Sequence, residues 1–316
     1  DMIENDSVNY AMQFLEHVHE LLSKESITEE RIPVYRKLGE LYERAGKYSK
    51  AVYYYNIVED IARNEKNDYL LVDVYIRKYS LLYKLHDRKE SFKYLSYSKN
   101  LLRTIDYKKG LYEHIIVIHR MMLHKRKFKS YIRILERALK EINKEEYRFI
   151  YARLLGIYGN FKAYKGEYEE GLILLKKGMQ ILESTGNYQK MLYPLNSIGI
   201  IYYNHYTNTQ KAREYYERCL SISQRLGDVY YESACYNNIA DQCRMEDKYS
   251  AALQFYQNSL KNARIIGDKY IEIVINLNIS LANIELEEYN KALFNFENVE
   301  KLLMEFKYPG DYIDLF

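Results

Sequence analysis

The chain has 316 residues and a mass of 38.1 kDa, which is long enough for two compact domains or one long repeat array. Its formal net charge of +3, from 47 basic and 44 acidic residues, is too small to predict a nucleic-acid-binding surface. Three prolines leave little to interrupt helices, and no apolar run reaches the roughly 18 residues that span a membrane. Three cysteines without metal-binding spacing argue against a disulfide framework or zinc site and favour a reducing, cytoplasmic location.

The first 25 residues predict the second helix of a truncated leading repeat. Ala11 lies 40 residues before Ala51, and the apolar spacing around it is that of a helix packed on one face. Residues 308–316 contain a Pro-Gly-Asp turn and predict the start of a further repeat. Because repeat arrays need polar caps and neither end provides one, we expect residues 1–316 to form a single solenoid within a larger protein.

A usually small residue recurs between these ends with a period of about 40 residues, followed four positions later by a large one. We call it the register series: Ala51, Ser91, Tyr131, Gly171, Ala212, Ala252 and Ala292. Upstream of each member lies a second segment whose apolar residues recur at i, i+3 or i+4, and i+7, which predicts a helix. Strand-like alternation is absent, so a β-propeller of similar period is disfavoured. The sequence therefore predicts about seven helical hairpins.

Glycines mark the ends of the predicted helices. Gly46 and Gly166 fall in the short turns inside hairpins, where a left-handed residue ends a helix. Between hairpins come Gly186-Asn187, Gly227-Asp228 and Gly267-Asp268, in which the asparagine or aspartate can cap the next helix.

The hairpin pattern resembles a known repeat. The residues that carry the resemblance are Leu38, Gly39, Tyr42, Gly46, Tyr48, Ala51 and Tyr55. Together they are similar to the tetratricopeptide repeat (TPR), whose usual unit has about 34 residues. The resemblance implies an all-α fold, a right-handed superhelix or α-solenoid, and the 40-residue period implies longer helices. Most tyrosines are then packing residues.

The sequence predicts no catalytic or metal-binding site within the chain. The sequence has no serine-hydrolase elbow, phosphate-binding glycine loop or zinc-protease motif. His114, His119 and His124 are spaced by five residues, so on one helix they cannot converge on a single ion. Cys219 and Cys243 fall on packing positions, which predicts buried structural thiols. We therefore expect a non-enzymatic protein without cofactor or metal.

The first helices of the hairpins would line a concave groove, the usual binding site of such repeats. The residues expected to face it are Arg120, His124, Arg153, Asn160, Tyr164, Asn196, Asn204, Asn237, Asp241 and Arg244. Asparagine offers donors and an acceptor that match the backbone of an extended peptide, and arginine can hold a carboxylate. The alternative is that the chain is simply rich in asparagine. Several such residues on one helical face favour function, because asparagine is unfavourable inside helices.

Within the TPR family the chain resembles the peptide-sensing regulators of Gram-positive bacteria, the Rap, Rgg, NprR, PlcR and PrgX group. The resemblance implies quorum sensing through a short, secreted and re-imported peptide, held by groove asparagines to which Asn160, Asn196 and Asn237 correspond. It also implies control of transcription, through a DNA-binding domain outside the chain or through response-regulator partners.

Two other functions stay open. The repeats could be the sensor or scaffold domain of another signalling protein, such as a histidine kinase, a diguanylate cyclase or a transcriptional activator. They could also form a plain assembly adaptor. The expected partners are a short linear peptide or a protein, with nucleic acid reached only through a domain outside the chain and no membrane. Uncapped repeat ends also allow self-association as a homodimer.

Overall fold

The computed structural model describes residues 2–22, 29–124 and 128–305, and this part of the chain is helical without any strand. Helix α1 covers Met2–Leu22 and is followed by a short 3-10 turn. The first helices of the hairpins are α2 (Ile32–Arg44), α4 (Asp68–Lys84), α6 (Lys108–Val117) with α7 (His119–His124), α9 (Arg148–Tyr164), α11 (Tyr188–Asn204), α13 (Val229–Met245) and α15 (Lys269–Glu285). The second helices are α3 (Tyr48–Asn64), α5 (Arg88–Leu101), α8 (Phe128–Glu141), α10 (Tyr168–Ser184), α12 (Thr209–Leu226), α14 (Tyr249–Ile266) and α16 (Tyr289–Glu305).

The seven predicted hairpins and the all-α repeat fold are confirmed. Every second helix begins three residues before a member of the register series, as Tyr48 does before Ala51. The small members of the series, such as Ala51 and Ala252, are completely buried. They lie where the two helices of a hairpin approach closely, which explains why a large side chain is rare there.

The chain divides into two compact units. Unit 1 comprises Asp1–His119 with Arg225–Asp228, and unit 2 comprises Arg120–Gln224 with Val229–Phe316. The division falls next to Ile118, where the first helix of the third hairpin is interrupted.

The structure describes most of the first chain end and none of the last residues, and the repeat assignments predicted for both ends stay predictions. Helix α1 packs on α2 and α3, with the ring of His19 edge-on to Tyr35 and Tyr54. The expected further repeat at 308–316 lies outside the described residues. A single solenoid over the whole chain stays a prediction.

Glycines in the first helices make room for aromatic rings from the second helices. A Cβ atom at Gly39 would lie 2.8 Å from the ring of Tyr55, and one at Gly199 would lie 2.4 Å from the ring of Tyr216. Both tyrosines stand four residues after a member of the register series. The repeat therefore places a tyrosine ring across the first helix, with its hydroxyl directed beyond that helix.

Left-handed residues end helices at intervals of about 20 residues from 46 to 86 and again from 166 to 287. Five are the predicted glycines, and five are other residues: Lys66, His86, Thr207, Asp247 and Glu287. Asp268 caps α15 as predicted, accepting hydrogen bonds from the backbone of Tyr270 and Ile271. The same prediction was wrong for Asn187, whose side chain makes no capping bond at the start of α11. Helices of about 17 residues joined by tight turns thus account for the 40-residue period.

The cysteines are structural, as predicted. Cys219, Cys235 and Cys243 are all buried, and none of the three is in a disulfide. The thiol of Cys219 lies 3.5 Å from the backbone oxygen of Leu192, where α12 crosses α11. In the next hairpin the corresponding crossing is made by serines, since the hydroxyls of Ser233 and Ser259 bond to each other's backbone oxygens at 3.0 and 2.8 Å. Small polar residues thus tie paired helices together at their closest approach.

A buried ion cluster holds α3, α4 and α5 together in unit 1. Lys78 Nζ donates to Glu59 Oε2 at 2.5 Å and to the hydroxyl of Tyr94 at 2.6 Å. Arg63 donates to the other oxygen of Glu59 at 2.7 Å. Each charge is paired and hydrogen-bonded, which is the condition under which burial is tolerated. None of the described helices is both long enough and apolar enough to cross a bilayer.

Candidate peptide-binding face of unit 2

A line of asparagines lies on the first helices of unit 2. Asn196, Asn237 and Asn278 are separated by 41 residues each, one period of the repeat, and so occupy the same position on α11, α13 and α15. These three helices contact one another in succession. Together with Asn238 they form what we call the asparagine row.

Hydrogen bonds connect the row from helix to helix. Asn238 Nδ2 donates to Asn196 Oδ1 at 2.9 Å, and Asn278 Nδ2 donates to Asn237 Oδ1 at 3.2 Å. All four side chains are half-buried. A carboxamide carries two donor hydrogens and an acceptor with two lone pairs, so each member retains unused hydrogen-bonding capacity. The face is therefore ordered by its own contacts and still able to bond a ligand.

Asp241 anchors the row on α13. Its carboxylate accepts from the hydroxyl of Tyr256 at 2.5 Å, from Asn237 Nδ2 at 3.2 Å and from Asn278 Nδ2 at 3.4 Å. Burial raises the pKa of this carboxyl, while the Tyr256 hydroxyl and the nearby Arg244 guanidinium act in the opposite direction. The half-buried charge of Asp241 is thus stabilised mainly by hydrogen bonds from uncharged donors.

Two tyrosines and an arginine complete the surroundings of Asp241. The ring of Tyr256 is fully buried between α13 and α14, and burial raises the pKa of its hydroxyl, which stays protonated as a donor. The hydroxyl of Tyr203 lies 3.4 Å from the backbone oxygen of Asp241. Arg244 Nε is buried and has no acceptor among the described residues.

The structure brings some of the predicted site residues together. Asn196, Asn237, Asp241 and Arg244 lie in or beside the row, and one helix earlier Asn160 Nδ2 donates to the hydroxyl of Tyr193 at 3.0 Å. Arg153 is half-buried on α9, whereas Tyr164 and Asn204 are exposed at the ends of α9 and α11. Arg120 and His124 belong to α7, and their side chains lie outside the described part. Whether these residues bind a peptide stays a prediction.

Sequence reasoning missed several members of the face. Asn278 could have been found, because it lies one 41-residue period after Asn237. Tyr193, Asn238 and Tyr256 could not, because their roles depend on which side chain faces them across two helices. In the described part of the chain, no three histidine, cysteine, aspartate or glutamate side chains are grouped as metal ligands.

The repeated hairpins and their shared polar face define a helical-repeat protein of the kind that binds other polypeptides. Residues 195–265 match the family model of the tetratricopeptide repeat. Over these residues the predicted resemblance to the TPR is confirmed. No curated protein sequence matches the chain.

Solved structures of other proteins share the fold. A Rap protein complexed with competence and sporulation factor has a TM-score of 0.60 at 12% identity, with 95% of this chain and 93% of that one covered. Aspartyl phosphate phosphatase F from Bacillus subtilis has a TM-score of 0.54 at 16% identity, with 98% and 83% covered. The Cut9–Hcn1 hetero-tetramer of APC/C has a TM-score of 0.66 at 13% identity, with 91% and 49% covered. At these identities the likeness establishes the fold alone, with Rap proteins among the structural neighbours.

Proposed function

We propose that unit 2 binds a short linear peptide, in an extended conformation, across the asparagine row. The observation that carries the proposal is the pair of bonds Asn238–Asn196 and Asn278–Asn237, which align carboxamides from three successive helices. Asparagine inside a helix lowers intrinsic helix stability, so a row that repeats at one helical position needs a compensating reason. Recognition of a peptide backbone is such a reason.

The spacing of the helices suits an extended chain. Packed helices lie about 8–10 Å apart, and an extended peptide rises about 3.3 Å per residue. Consecutive helices would therefore meet backbone groups about three residues apart. The side chains between those contact points would enter the spaces between first helices, where sequence selectivity would arise.

Charges at Asp241 and Arg244 would orient the peptide. The free donor at Arg244 Nε can bond a peptide carbonyl or a carboxylate. Asp241 already accepts from three donors, so it serves to position the asparagines and Tyr256. A ligand would thus be held by neutral amides along its length and by an arginine at one point.

The biological role follows as part of the proposal. The chain would be a cytoplasmic, non-enzymatic regulator that senses a short signalling peptide and controls an attached or partner effector, including a transcription regulator. The structural likeness to a Rap protein complexed with competence and sporulation factor supports this class. The neighbour named as an aspartyl phosphate phosphatase makes the non-enzymatic part testable, because release of phosphate from a phosphorylated aspartate would contradict it.

A scaffold function is the second candidate. The Cut9–Hcn1 hetero-tetramer, a complex of protein chains, is also a structural neighbour. A TPR sensor or scaffold domain would use the same face to hold a protein segment or a second copy of the chain. This alternative predicts tight binding of a folded partner and no binding of isolated peptides.

The proposal is tested by calorimetry with a positional-scanning library of eight-residue peptides. We expect a selected peptide to bind the wild type and to lose at least tenfold in affinity with Asn237→Ala. The matched control is Asn295→Ala, at a half-buried asparagine of α16 whose side chain donates to the backbone oxygen of Lys291 in its own helix. Equal affinity of Asn237→Ala and wild type, with both folded, would exclude the asparagine row as the site.

A further inference from the structure

Unit 1 contains a polar pocket that the asparagine row does not explain. First helices α2, α4 and α6 form its walls, and its volume is about 70 Å³, room for about five water-sized groups. Its polar lining includes Arg36, Glu40, Tyr55, Asp73, Arg77 and Lys109. With Glu113, which also lines the pocket, the lining carries three cationic and three anionic side chains, so the pocket as a whole is close to neutral.

The hydroxyl of Tyr55 lies at this pocket without a bond. The ring is only 2% exposed and lies over Gly39, which has no side chain to displace it. The hydroxyl oxygen is buried and has no hydrogen-bond partner among the described residues. Burial also raises the pKa of Tyr55, so the group stays protonated as a donor. A buried hydroxyl without an acceptor is costly, and such groups mark places where a ligand or water completes the bonding.

The equivalent tyrosine in unit 2 indicates what belongs at the Tyr55 hydroxyl. Tyr256 stands four residues after Ala252, as Tyr55 does after Ala51, and it donates to the carboxylate of Asp241. Glu40 occupies the position of Asp241 in unit 1, eleven residues before the register residue. The carboxylate of Glu40, however, lies near basic side chains, at 3.8 Å from Arg77 and 4.0 Å from Lys37. The repeat therefore places a tyrosine hydroxyl donor at this position in both units. A carboxylate acceptor bonds that hydroxyl only in unit 2.

Two arginines of the pocket also hold unused donors. Arg77 lies 3.8 Å from Glu40 and 3.7 Å from Glu43, distances that indicate ion pairs without direct hydrogen bonds. Arg36 has no hydrogen bond or ion pair among the described residues. Asp73, by contrast, is engaged, since it accepts from the hydroxyl of Tyr107 at 2.9 Å and lies 3.9 Å from Lys109. The Tyr55 hydroxyl and the two guanidinium groups are thus donors without a hydrogen bond, and the Glu40 carboxylate beside them is the one acceptor of the described lining for which the distances also give only ion pairs.

We propose that this pocket of unit 1 binds a single carboxylate group, which accepts from the Tyr55 hydroxyl and from the guanidinium groups of Arg36 and Arg77. The fork of an arginine matches a carboxylate in geometry. Three acidic side chains in the lining make a doubly charged phosphate less favourable than a singly charged carboxylate. The site lies in the other unit from the asparagine row and does not depend on the function proposed for that row.

The carboxylate could belong to a small free acid or to an acidic side chain on a peptide segment. Calorimetry of the full chain with butyrate, succinate and inorganic phosphate tests the first source. A blocked pentapeptide with a central glutamate, compared with its glutamine counterpart, tests the second. We expect at least one carboxylate probe to bind more tightly than phosphate, and the glutamate peptide to bind more tightly than its glutamine counterpart. The tighter carboxylate source identifies the natural class of ligand.

Substitutions decide whether the bound carboxylate occupies this pocket. Tyr55→Phe keeps the ring over Gly39 and removes only the unbonded hydroxyl, so the melting temperature should be equal or higher while affinity falls at least tenfold. Arg77→Met should weaken binding to a similar extent. Tyr53→Phe, at an exposed neighbouring residue, should bind as the wild type. Unchanged binding in Tyr55→Phe, tighter binding of phosphate, or no binding of any carboxylate probe would each overturn the proposal.

Discussion

Tyr55 and Tyr256 occupy the same position of the repeat and have different surroundings. Both rings are buried across a first helix, one in each compact unit. The Tyr256 hydroxyl donates to Asp241, whereas the Tyr55 hydroxyl has no partner among the described residues. The repeat therefore dictates where a ring is placed, and the neighbouring helices decide whether its hydroxyl is a structural bond or a site for a ligand.

The buried carboxylates of the two units differ in the same way. In unit 1 the carboxylate of Glu59 is paired with Lys78 and Arg63, deep between helices. In unit 2 the carboxylate of Asp241 is held mainly by uncharged donors, at a face that is half open to solvent. Full ion pairing indicates a structural role for Glu59. Neutral donors beside an open surface indicate a role in arranging a binding face.

Removing the lysine of the buried pair should have the largest effect on stability. Lys78→Met leaves Glu59 buried beside Arg63 alone and removes the donor to Tyr94, which should cost about 3–5 kcal/mol of unfolding free energy. Urea denaturation measures the loss. Lys93→Met, which breaks an exposed pair with Glu90, is the matched control and should leave the unfolding free energy nearly unchanged. Similar losses in both variants would mean that Glu59 is not the structural centre of unit 1.

The two tyrosines give the direct test of the comparison. Tyr256→Phe removes a hydrogen bond to a charged carboxylate and should lower the unfolding free energy by about 1.5–3 kcal/mol. Tyr55→Phe removes a hydroxyl without a partner, so stability should be unchanged or raised. Urea denaturation without added ligand compares the two variants. Equal losses would show that the Tyr55 hydroxyl is bonded in solution, and the contrast between the units would fail.

The smallest effect is expected at a helix end. Gly186 has a φ of +66° and open space where a Cβ would lie. Gly186→Ala should therefore lower the unfolding free energy only by the penalty for a left-handed alanine, roughly 1 kcal/mol. Asp247 adopts φ of +57° in a related turn, and Asp247→Gly should stabilise the protein slightly. Thermal unfolding of the two variants should shift in opposite directions. A loss in Asp247→Gly would mean that its side-chain bond to Tyr249 outweighs the backbone strain.

Most of the fold could be predicted from the sequence because the same residue pattern recurs in seven hairpins. The start of every second helix follows from the register series, and the glycine turns follow from their positions in it. The predicted cap at Asn187 was wrong because capping depends on the side-chain rotamer, which residue type alone does not determine. Asn196, Asn237 and Asp241 were identified because groove positions recur with the period. Asn238 and Tyr193 were missed because their partners come from another helix.

The sequence by itself determined the hairpins, their length and the buried small residues, because local periodicity and turn chemistry repeat within each 40-residue unit. Only the tertiary structure decided which polar groups meet. The bonds from Asn278 to Asn237 and from Tyr256 to Asp241, and the unbonded hydroxyl of Tyr55, all depend on the approach of separate helices. A hydrogen bond needs two atoms placed within a few tenths of an ångström, and no spacing along one chain specifies that distance across the space between helices.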